Sequence, residues 1–508
     1  MKTIDSFLNK TTMYRVVLYY LAGLIGVAMV LGAFGLLPYN PLAIAFSLIF
    51  ITAVCWVFNT IFARIYKAPA NVESFIITAF ILVLLITPPI VLVDTTYLWL
   101  AFWVSAWAIA SKYIFAIKKK HVFNPVAIGA VITALVISGS ASWWIATVWM
   151  MPFVLIGGLL VTKKVLRFDL VLSFLATAVI AIGWGHVGSI ANLWMALSRM
   201  FITTPILFFA FAMLTEPLTT PPTRFRRVLY GALVGVLFAP WVHIGGLYST
   251  PELALIVGNV FSYLISSKTK LILHLKEKIK VAEDTYDFVF QTNQKLIFAP
   301  GQYLEWTLGH PRPDNRGNRR YFTIASAPTE KDIRMGVKFY PGASSFKQKL
   351  LSMKKGETLI ASQLSGDFVL PKDKKKKLVF IAGGIGVTPF RSMIKYLIDT
   401  HQKRNIKVLY SNRTVEDIAY KELFSDAKRL VKIETIYTLT DKKSVPHWWA
   451  GSVGYIDETM IKKEVPDYKE RMFYISGSGA MVKTFSAVLK AMGVPRSHIK
   501  KDFFPGFA

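Results

Sequence analysis

Two patterns of hydrophobic and polar residues divide the chain near residue 267. Up to Ser267 the sequence runs in long apolar segments, whereas from Lys268 onward short apolar runs alternate with charged residues. A helix needs about 20 apolar residues to cross a hydrocarbon core of about 30 Å. The first pattern therefore predicts about ten membrane helices, at residues 14–36, 41–62, 74–93, 96–117, 123–138, 143–162, 168–185, 190–213, 228–243 and 251–267. The fifth, seventh and ninth are short and carry Gly or Pro, which predicts tilted, broken or re-entrant segments.

Basic residues mark one side of these segments. They follow the second, fourth, sixth, eighth and tenth segments, and the loops on the opposite side contain no Lys or Arg. They include Arg64, Lys67, Lys118, Lys119, Lys120, Lys163, Lys164, Arg167, Arg224, Arg226, Arg227, Lys268 and Lys270. The positive-inside rule predicts a multi-pass protein of the plasma membrane with both termini in the cytoplasm. The net charge of +29 fits this topology and attraction to anionic membrane lipid, so nucleic acid is not an expected partner.

The cysteine and histidine counts limit the metal chemistry. The single cysteine, Cys55, excludes an intrachain disulfide and a four-cysteine iron–sulfur cluster. We predict no metal site. A haem-bearing ferric reductase is one alternative, but transmembrane bis-haem ligation needs paired histidines at matched depths. The membrane half offers only His121, His186 and His243, all near segment ends.

Polar residues interrupt the apolar segments at three places. Residues 120–125 open the fifth segment, Arg199 lies within the eighth, and a Thr- and Pro-rich stretch at 214–224 closes it. Prolines at that density break a helix, and the freed backbone groups must be buried or line a cavity. These features predict a cofactor or substrate pocket. The alternatives are a buried ion pair or a snorkelling side chain at Arg199, and an ordinary cytoplasmic loop at 214–224. The candidate residues are Asn124, Arg199, Thr215, Glu216, Thr219 and Thr220.

Residues 123–127 (Phe-Asn-Pro-Val-Ala), 215–223 and 226–235 resemble the NqrB/RnfD family. These are the membrane subunits of the sodium-pumping NADH:quinone reductase and of the Rnf complex. The resemblance covers most of residues 10–267. It implies a ten-helix fold with two inverted halves that moves electrons through flavins across the membrane. The family's Ser-Gly-Ala-Thr sequence, whose threonine carries FMN, is Ser-Gly-Ser-Ala-Ser at 138–142. A membrane flavin here is therefore expected to be non-covalent FMN or riboflavin, or to sit covalently on a partner.

The second half predicts two further domains. Short strands with alternating apolar residues between 270 and 361, separated by turns, predict an antiparallel β-barrel over residues 268–373. From residue 374 onward strands alternate with helices, which predicts a doubly wound α/β domain over 374–508. Residues 1–267 form the membrane domain in this division.

The first of these domains contains a candidate flavin site. The Phe322 ring can stack on an isoalloxazine, the Thr323 hydroxyl can bond its reactive nitrogen, and the Arg320 guanidinium can bind a diphosphate. A cross-strand aromatic pair would explain Phe322 equally well. Residues 342–346 (Gly-Ala-Ser-Ser-Phe) then open a helix whose N-terminus is suited to an anion. The candidate residues are Arg320, Tyr321, Phe322, Thr323, Gly342, Ser344 and Ser345.

The second domain contains a candidate dinucleotide site. An apolar run at 377–382 predicts a buried parallel strand, and the glycines after it let the backbone approach a pyrophosphate. Another strand leads into residues 476–481 and a further helix. Arg413 follows the second strand, where it would hold a 2′-phosphate or be solvated, so NADH and NADPH both remain open. The candidates are Gly383, Gly384, Gly386, Thr388, Pro389, Arg413, Ser476, Gly477 and Met481.

Residues 270–508 resemble the ferredoxin–NADP reductase family. An Arg-x-Tyr-Ser/Thr motif binds flavin in that family, and Arg320, Phe322 and Thr323 occupy it here. The match of Gly342 and Ser345 to the family's diphosphate helix implies FAD rather than FMN. The segment from Gly383 to Pro389 matches the family's nicotinamide-dinucleotide segment. Ser476 stands where many members have a cysteine beside the nicotinamide, and Phe504 belongs to a tail that can lie near the flavin.

Taken together, these patterns predict a membrane flavoprotein oxidoreductase with Thr323 and Ser476 as its catalytic residues. Cytoplasmic NADH or NADPH is expected to reduce FAD, and electrons are expected to pass through the membrane half. An extracytoplasmic flavinylated protein or a quinone is the expected acceptor, and further subunits are possible partners. A transporter with a cytoplasmic reductase or regulatory domain is the alternative from another class.

Overall fold

The computed structural model describes residues 4, 7–8, 11–66, 72–92, 94–117, 120–137, 139, 141–185, 190–266, 270–311, 313–314 and 317–502, with the side chains of 72, 120 and 190–192 excepted. Contacts divide the chain into two compact units. The helical unit is Thr11–Lys268, and the C-terminal unit is Thr269–Ala508 together with Met1–Lys10. Several predicted features lie outside the described residues, namely Phe504 and its tail, His186, Ser138, Ser140, Lys67, Lys118, Lys119 and Lys268.

The helical unit places helical structure in each of the ten apolar segments. The helices are α1 Met13–Ala33, α2 Pro41–Ile65, α3 Val72–Leu85, α4 Thr95–Ile114, α5 Pro125–Ile137, α6 Met151–Val165, α7 Phe168–Trp184, α8 Ile190–Ile202, α9 Ile206–Phe208, α10 Arg224–Leu237 and α11 Pro251–Ile265. Two short hairpins pair β1 Ala116–Ile117 with β2 Lys120–His121, and β3 His243–Ile244 with β4 Leu247–Tyr248. Capping residues determine where several of these helices begin. Asn40 and Thr250 each accept a backbone N–H and precede a proline in the first turn.

The helix lengths correct the predicted number of membrane spans. Among the described residues, α1 and α2 are long and apolar enough to cross a membrane, and a third span results if the bent pair around residue 204 counts as one. Four other apolar helices have only 10–17 residues. At about 1.5 Å per residue such helices fall short of a core of about 30 Å. The prediction of about ten crossing helices was therefore wrong as a count of spans.

Two local features explain why long apolar segments give short helices. The eighth segment is bent by 60° between α8 and α9. Pro205 stands at that break, where it cannot supply a helical N–H. A π-helix, Phe209–Met213, continues the segment. In the sixth segment Trp143 has a φ of 51°, turns and a bend follow it, and the helix begins at Met151. The Trp143 indole N–H instead donates to Glu252 Oε1 at 2.6 Å.

The C-terminal unit begins with a six-stranded antiparallel sheet. Its strands are β5 Leu271–Ala282, β6 Thr285–Gln291, β7 Tyr303–Thr307, β8 Arg319–Thr323, β9 Ile333–Lys338 and β10 Thr358–Ser365, in the order β8-β7-β10-β5-β6-β9. Leu271, Leu273 and Leu275 alternate inward into the core, as the pattern predicts. Helix α12, Ser345–Ser352, adds the fully buried Phe346 to the same core. This antiparallel domain carries the predicted flavin strand as β8.

A parallel α/β domain follows. Its strands are β11 Leu378–Gly383, β12 Ile406–Asn412, β13 Glu434–Leu439, β14 Ser452–Val453, β15 Met472–Ser476 and β16 Ile499–Asp502, in the order β14-β13-β12-β11-β15-β16. The helices are α13 Thr388–Asp399, α14 Lys421–Val431, α15 Glu458–Glu464 and α16 Gly479–Ala491. Hydrophobic clusters cover both faces of β11, which explains its continuous apolar run. The strand order reverses beside β11, and ligands of such sheets bind at the carboxyl ends of the strands there.

Candidate active site

Strand β8 presents its predicted flavin residues on two faces. Arg320 is 2% exposed, and its guanidinium carbon lies 5.2 Å from the centre of the Phe346 ring. The Phe322 ring lies 6.1 Å from the same ring, so Arg320 and Phe322 share the face toward α12. Thr323 is buried on the other face. The Tyr321 hydroxyl donates to Glu305 Oε2 at 2.9 Å, which ties β8 to β7.

The N-terminus of α12 and Arg320 together form an anion site. Ser344 caps the helix, and Gly342 reaches it with a φ of 74°. The backbone N–H of Ser345 donates to Asp314 Oδ2 at 3.1 Å, and Arg320 Nη2 lies 3.7 Å from Asp314 Oδ1. A helix N–H and a guanidinium that converge on one carboxylate are also the donors that a diphosphate needs. The residues present therefore fit the diphosphate of FAD.

Two glycine-rich segments meet at the carboxyl ends of β11 and β15. A Cβ added to Gly386 would lie 2.5 Å from the carbonyl oxygen of Ser476 and 2.6 Å from the Cα of Gly477. A Cβ added to Gly383 would collide with the sulfur of Met481. Only glycine permits this approach, which brings the predicted dinucleotide segment and the segment after β15 into one crevice.

The turn into α13 completes that crevice. Gly384 has a φ of 51° and opens a 3₁₀ turn, Gly384–Val387. Helix α13 begins at once with Thr388 and Pro389, and proline suits the first turn because its missing N–H has no partner there. Exposed backbone at a strand end followed by a helix N-terminus is an arrangement that binds a pyrophosphate. Five of the nine predicted dinucleotide residues are thus placed together by one strand, turn and helix.

The two predicted catalytic hydroxyl groups meet at a carboxyl group that was not predicted. Asp502 ends β16 and pairs in register with Ser476 of β15. Burial raises the pKa of Asp502 to about 7, and hydrogen bonding from the hydroxyls of Ser476 and Thr323 opposes that rise. An acid with a pKa near neutrality can hold and release a proton under working conditions. The structure thus joins the flavin strand and the nicotinamide crevice at one titratable group.

Arg413 has a partner at the neighbouring strand end. Its side chain is 77% exposed, and its Nε lies 3.7 Å from Asp441 Oδ2 just beyond β13. Asp441 accepts hydrogen bonds from the Ser444 hydroxyl and the Lys443 backbone N–H, and these bonds lower the pKa of its carboxyl. A carboxylate near the adenosine ribose binds its hydroxyls, whereas an arginine binds a 2′-phosphate. The site holds both a carboxylate, that of Asp441, and an arginine, Arg413.

Three predicted residues of the helical unit share one hydrogen-bond network. Asn124 Nδ2 donates to Glu216 Oε2 at 2.9 Å, and the Thr219 hydroxyl donates to the same oxygen at 3.3 Å. His121 Nε2 lies 3.1 Å from Glu216 Oε1. The side-chain oxygen of Asn259, on α11, accepts the backbone N–H of Asn124 at 2.7 Å. We call His121, Asn124, Glu216, Thr219 and Asn259 the Glu216 network.

The other predicted residues of this unit lie beside the network or apart from it. The Thr215 hydroxyl donates to the carbonyl oxygen of Phe211, and the Thr220 hydroxyl donates to that of Glu216. Both hydroxyls thus stabilise the bend that carries Glu216. Arg199 lies in the last turn of α8. In the part of the chain that the structure describes, no hydrogen bond of the Glu216 network involves it.

Comparison with known proteins agrees with the geometry of the C-terminal unit. Residues 380–487 match the oxidoreductase NAD-binding domain. This unit therefore contains an NAD-binding domain of the oxidoreductase type, as its predicted resemblance implies. The corresponding expectation of a flavin reductase that uses FAD and NAD(P)H is confirmed for it. The resemblance of the helical unit to the NqrB/RnfD family stays a prediction.

Two relatives illustrate the similarity. The glycine betaine monooxygenase reductase subunit of Chromohalobacter salexigens is 29% identical over 235 residues, 44% of this chain and 62% of that protein. The flavohemoprotein of Bacillus cereus is 30% identical over 215 residues, 41% of this chain and 53% of that protein. The chain thus spans little more than half the length of these relatives. The cytochrome P450 reductase of Amycolatopsis aligns at 21% identity and a TM-score of 0.42, covering 47% of this chain and 71% of that structure.

Proposed function

We propose that this chain is a membrane flavoprotein oxidoreductase that moves electrons away from cytoplasmic NADH or NADPH. The electrons pass from the C-terminal unit through the helical unit to an extracytoplasmic or membrane acceptor, which is a flavinylated protein or a quinone. One observation carries the proposal. A single chain joins a reductase-type site to helices of which two, among the described residues, are long and apolar enough to cross a membrane.

Different residues of the C-terminal unit would have different roles in this reaction. Bound FAD would supply two-electron uptake and one-electron release. Arg320 and the helix N-terminus at Ser345 would hold its diphosphate. Thr323 and Ser476 reach the Asp502 carboxyl from two domains, so their meeting point is suited to aligning a donor ring with an acceptor ring. Asp502 would hold the proton that accompanies the transfer.

A path through the helical unit needs a carrier of its own, because no single short transfer crosses about 30 Å. We place a second, non-covalent flavin, FMN or riboflavin, at the Glu216 network. Amide, carboxylate and hydroxyl groups gathered at one partly buried place suit the hydrogen-bonding edge of such a ring. The basic loops support a position in the plasma membrane with both termini cytoplasmic.

A cofactor count on the purified full chain tests the carrier. Two flavins per chain without haem is the expected result. A single FAD would contradict the internal carrier and favour a transporter or an obligatory partner. Haem in stoichiometric amount would favour the ferric-reductase alternative.

A vesicle experiment tests the path itself. The full chain is reconstituted into liposomes that enclose ferricyanide, and NADH is added outside. We expect Glu216→Gln to lower reduction of the enclosed ferricyanide at least tenfold. In a parallel assay with ferricyanide added outside the liposomes, the same variant should still reduce it. Glu252→Gln is the control, since it makes the same change at a buried glutamate that bonds to Trp143 outside the network. Equal losses in both variants, or none in either, would contradict a path through the network.

A further inference from the structure

Helix α13 is bonded directly to the chain that leaves the flavin strand. The Ser392 hydroxyl donates to the carbonyl oxygen of Ser326 at 2.7 Å. Arg391 Nη1 donates to the carbonyl oxygen of Ala325 at 3.0 Å. Ser392 is fully buried and Arg391 is 6% exposed. Helix α13, which starts at the dinucleotide segment, therefore bonds to the backbone at Ala325 and Ser326, two and three residues after Thr323.

A second attachment joins the two domains at Asp287 of β6. The Tyr420 hydroxyl, from the start of α14, donates to Asp287 Oδ1 at 2.6 Å. Asp287 is fully buried, and Arg334 Nη1 lies 3.5 Å from its other oxygen. The Arg391 guanidinium lies 5.8 Å from the centre of the Tyr420 ring, which links this contact to the first one. Tyr420 has a φ of 60°, a conformation that costs energy outside glycine.

Gly336 shows how closely the domains meet between these attachments. It pairs with Asp287 across β6 and β9. A Cβ added to Gly336 would lie 2.6 Å from the Tyr420 hydroxyl oxygen and 2.7 Å from Thr388 Cγ2. The dinucleotide segment thus rests on the backbone of the flavin domain without an intervening side chain.

We propose that Ser392 and Tyr420 are positioning residues for hydride transfer, which set the distance between the nicotinamide crevice and the flavin strand. Neither residue belongs to the predicted site, and both act through Ser326 and Asp287 on the opposite domain. Hydride transfer depends steeply on this distance, because a displacement of about 1 Å can cost about a hundredfold in rate. The two contacts join different pairs of elements, α13 to the chain after β8 and the start of α14 to β6, so together they restrain tilting as well as separation.

The test is anaerobic rapid mixing of the FAD-loaded full chain with NADH. For Ser392→Ala and Tyr420→Phe we expect the limiting rate of flavin reduction to fall at least tenfold. The NADH concentration that gives half this rate should stay within about twofold, since neither side chain lies in the crevice. With NADH deuterated at the transferred position, the isotope effect should grow, because the hydride step becomes fully rate-limiting.

Two matched variants separate positioning from general stability. Ser486→Ala removes a buried hydroxyl that donates to Val482 within its own helix, and Tyr20→Phe removes a buried tyrosine hydroxyl that donates to the carbonyl of Val154 within the helical unit. We expect wild-type reduction rates in both. The proposal is overturned if these controls lose rate equally, if Ser392→Ala and Tyr420→Phe both keep the wild-type rate, or if both release FAD. The half-reaction contains no final acceptor, so its outcome does not depend on the membrane path.

Discussion

A single buried carboxyl decides how the candidate site responds to pH. In the folded protein the pKa of Asp502 is about 7, against an ordinary value of 3.8. Its hydroxyl neighbours come from strands of different domains, and its own strand pairs with that of Ser476. The protonated form is therefore favoured by folding. Both the stability of the protein and its proton transfer should depend on this group in the range between these two pKa values.

The first prediction concerns stability against pH. A group whose pKa is raised on folding stabilises the protein fully below its unfolded pKa, and that contribution is lost as pH rises through the folded pKa. Asp502 should thus destabilise the fold by up to about 4 kcal/mol between pH 4 and pH 7. In Asp502→Asn this loss should disappear. Thermal unfolding of the FAD-bound chain, followed by flavin fluorescence from pH 4 to pH 8, measures it, and identical pH slopes for variant and wild type would refute it.

The second prediction concerns the choice of cofactor. Removing the Asp441 carboxylate should release Arg413 for a 2′-phosphate, so Asp441→Ser is expected to lower the KM for NADPH at least tenfold. The KM for NADH should rise by a smaller factor. Asp426→Ser is the control, because it makes the same charge change beside Arg429 on α14. Steady-state rates with both cofactors provide the measurement, and an equal effect in the control would show that only net charge matters.

Sequence reasoning reached some of these residues and missed others for a definable reason. Thr323 and Ser476 stand in recognisable strings of residues at strand ends. Asp502 follows two lysines and has no such local signal. Its role arises from the pairing of β16 with β15, which depends on the folded sheet. The only available hint was an acidic residue at the end of a short strand near a sheet that binds a dinucleotide.

Among the elements, the turn between β11 and α13 is the most constrained. The third prediction is that Gly386→Ala lowers the affinity for NADH at least tenfold, because the added Cβ would lie 2.5 Å from the Ser476 carbonyl oxygen. FAD content should be unchanged, since the diphosphate site lies in the other domain. Gly246→Ala is the control, because a Cβ there meets nothing within 4 Å. Titration of flavin reduction with NADH measures this affinity. An unaltered affinity would contradict the prediction, because the segment would then move to accommodate the added Cβ.

The elements also show what hydrophobic patterning can and cannot predict. It located helical structure in each apolar segment of the helical unit and the alternating strand β5. It did not predict the helix lengths, because the eighth segment breaks at Pro205 and the sixth begins with turns that include Trp143. Hydropathy measures the composition of a segment, whereas such breaks depend on single residues and their tertiary partners.

At the scale of the molecule, each unit has its own polar centre. The Glu216 network lies within the helical unit, and the Asp502 carboxyl lies within the C-terminal unit. The change in composition near residue 267 predicts a boundary between these regions, and the alternation of strands and helices predicts the parallel sheet. The residues that join the antiparallel and α/β domains, such as Tyr420 and Ser392, could not be foreseen. Their partners lie 133 and 66 positions away in the chain.

The contacts among residues 323, 476 and 502 have a consequence for the order in which a newly made chain folds. Contacts this distant in sequence form late, because the entropy of closing long loops must first be overcome. A folding intermediate with only the antiparallel domain formed would already offer Arg320 and Ser345 to a diphosphate. Its flavin would stay oxidised, because the crevice that binds NADH or NADPH belongs to the α/β domain. Newly made chains that bind FAD early would therefore carry a flavin that cannot take up hydride until the α/β domain has folded.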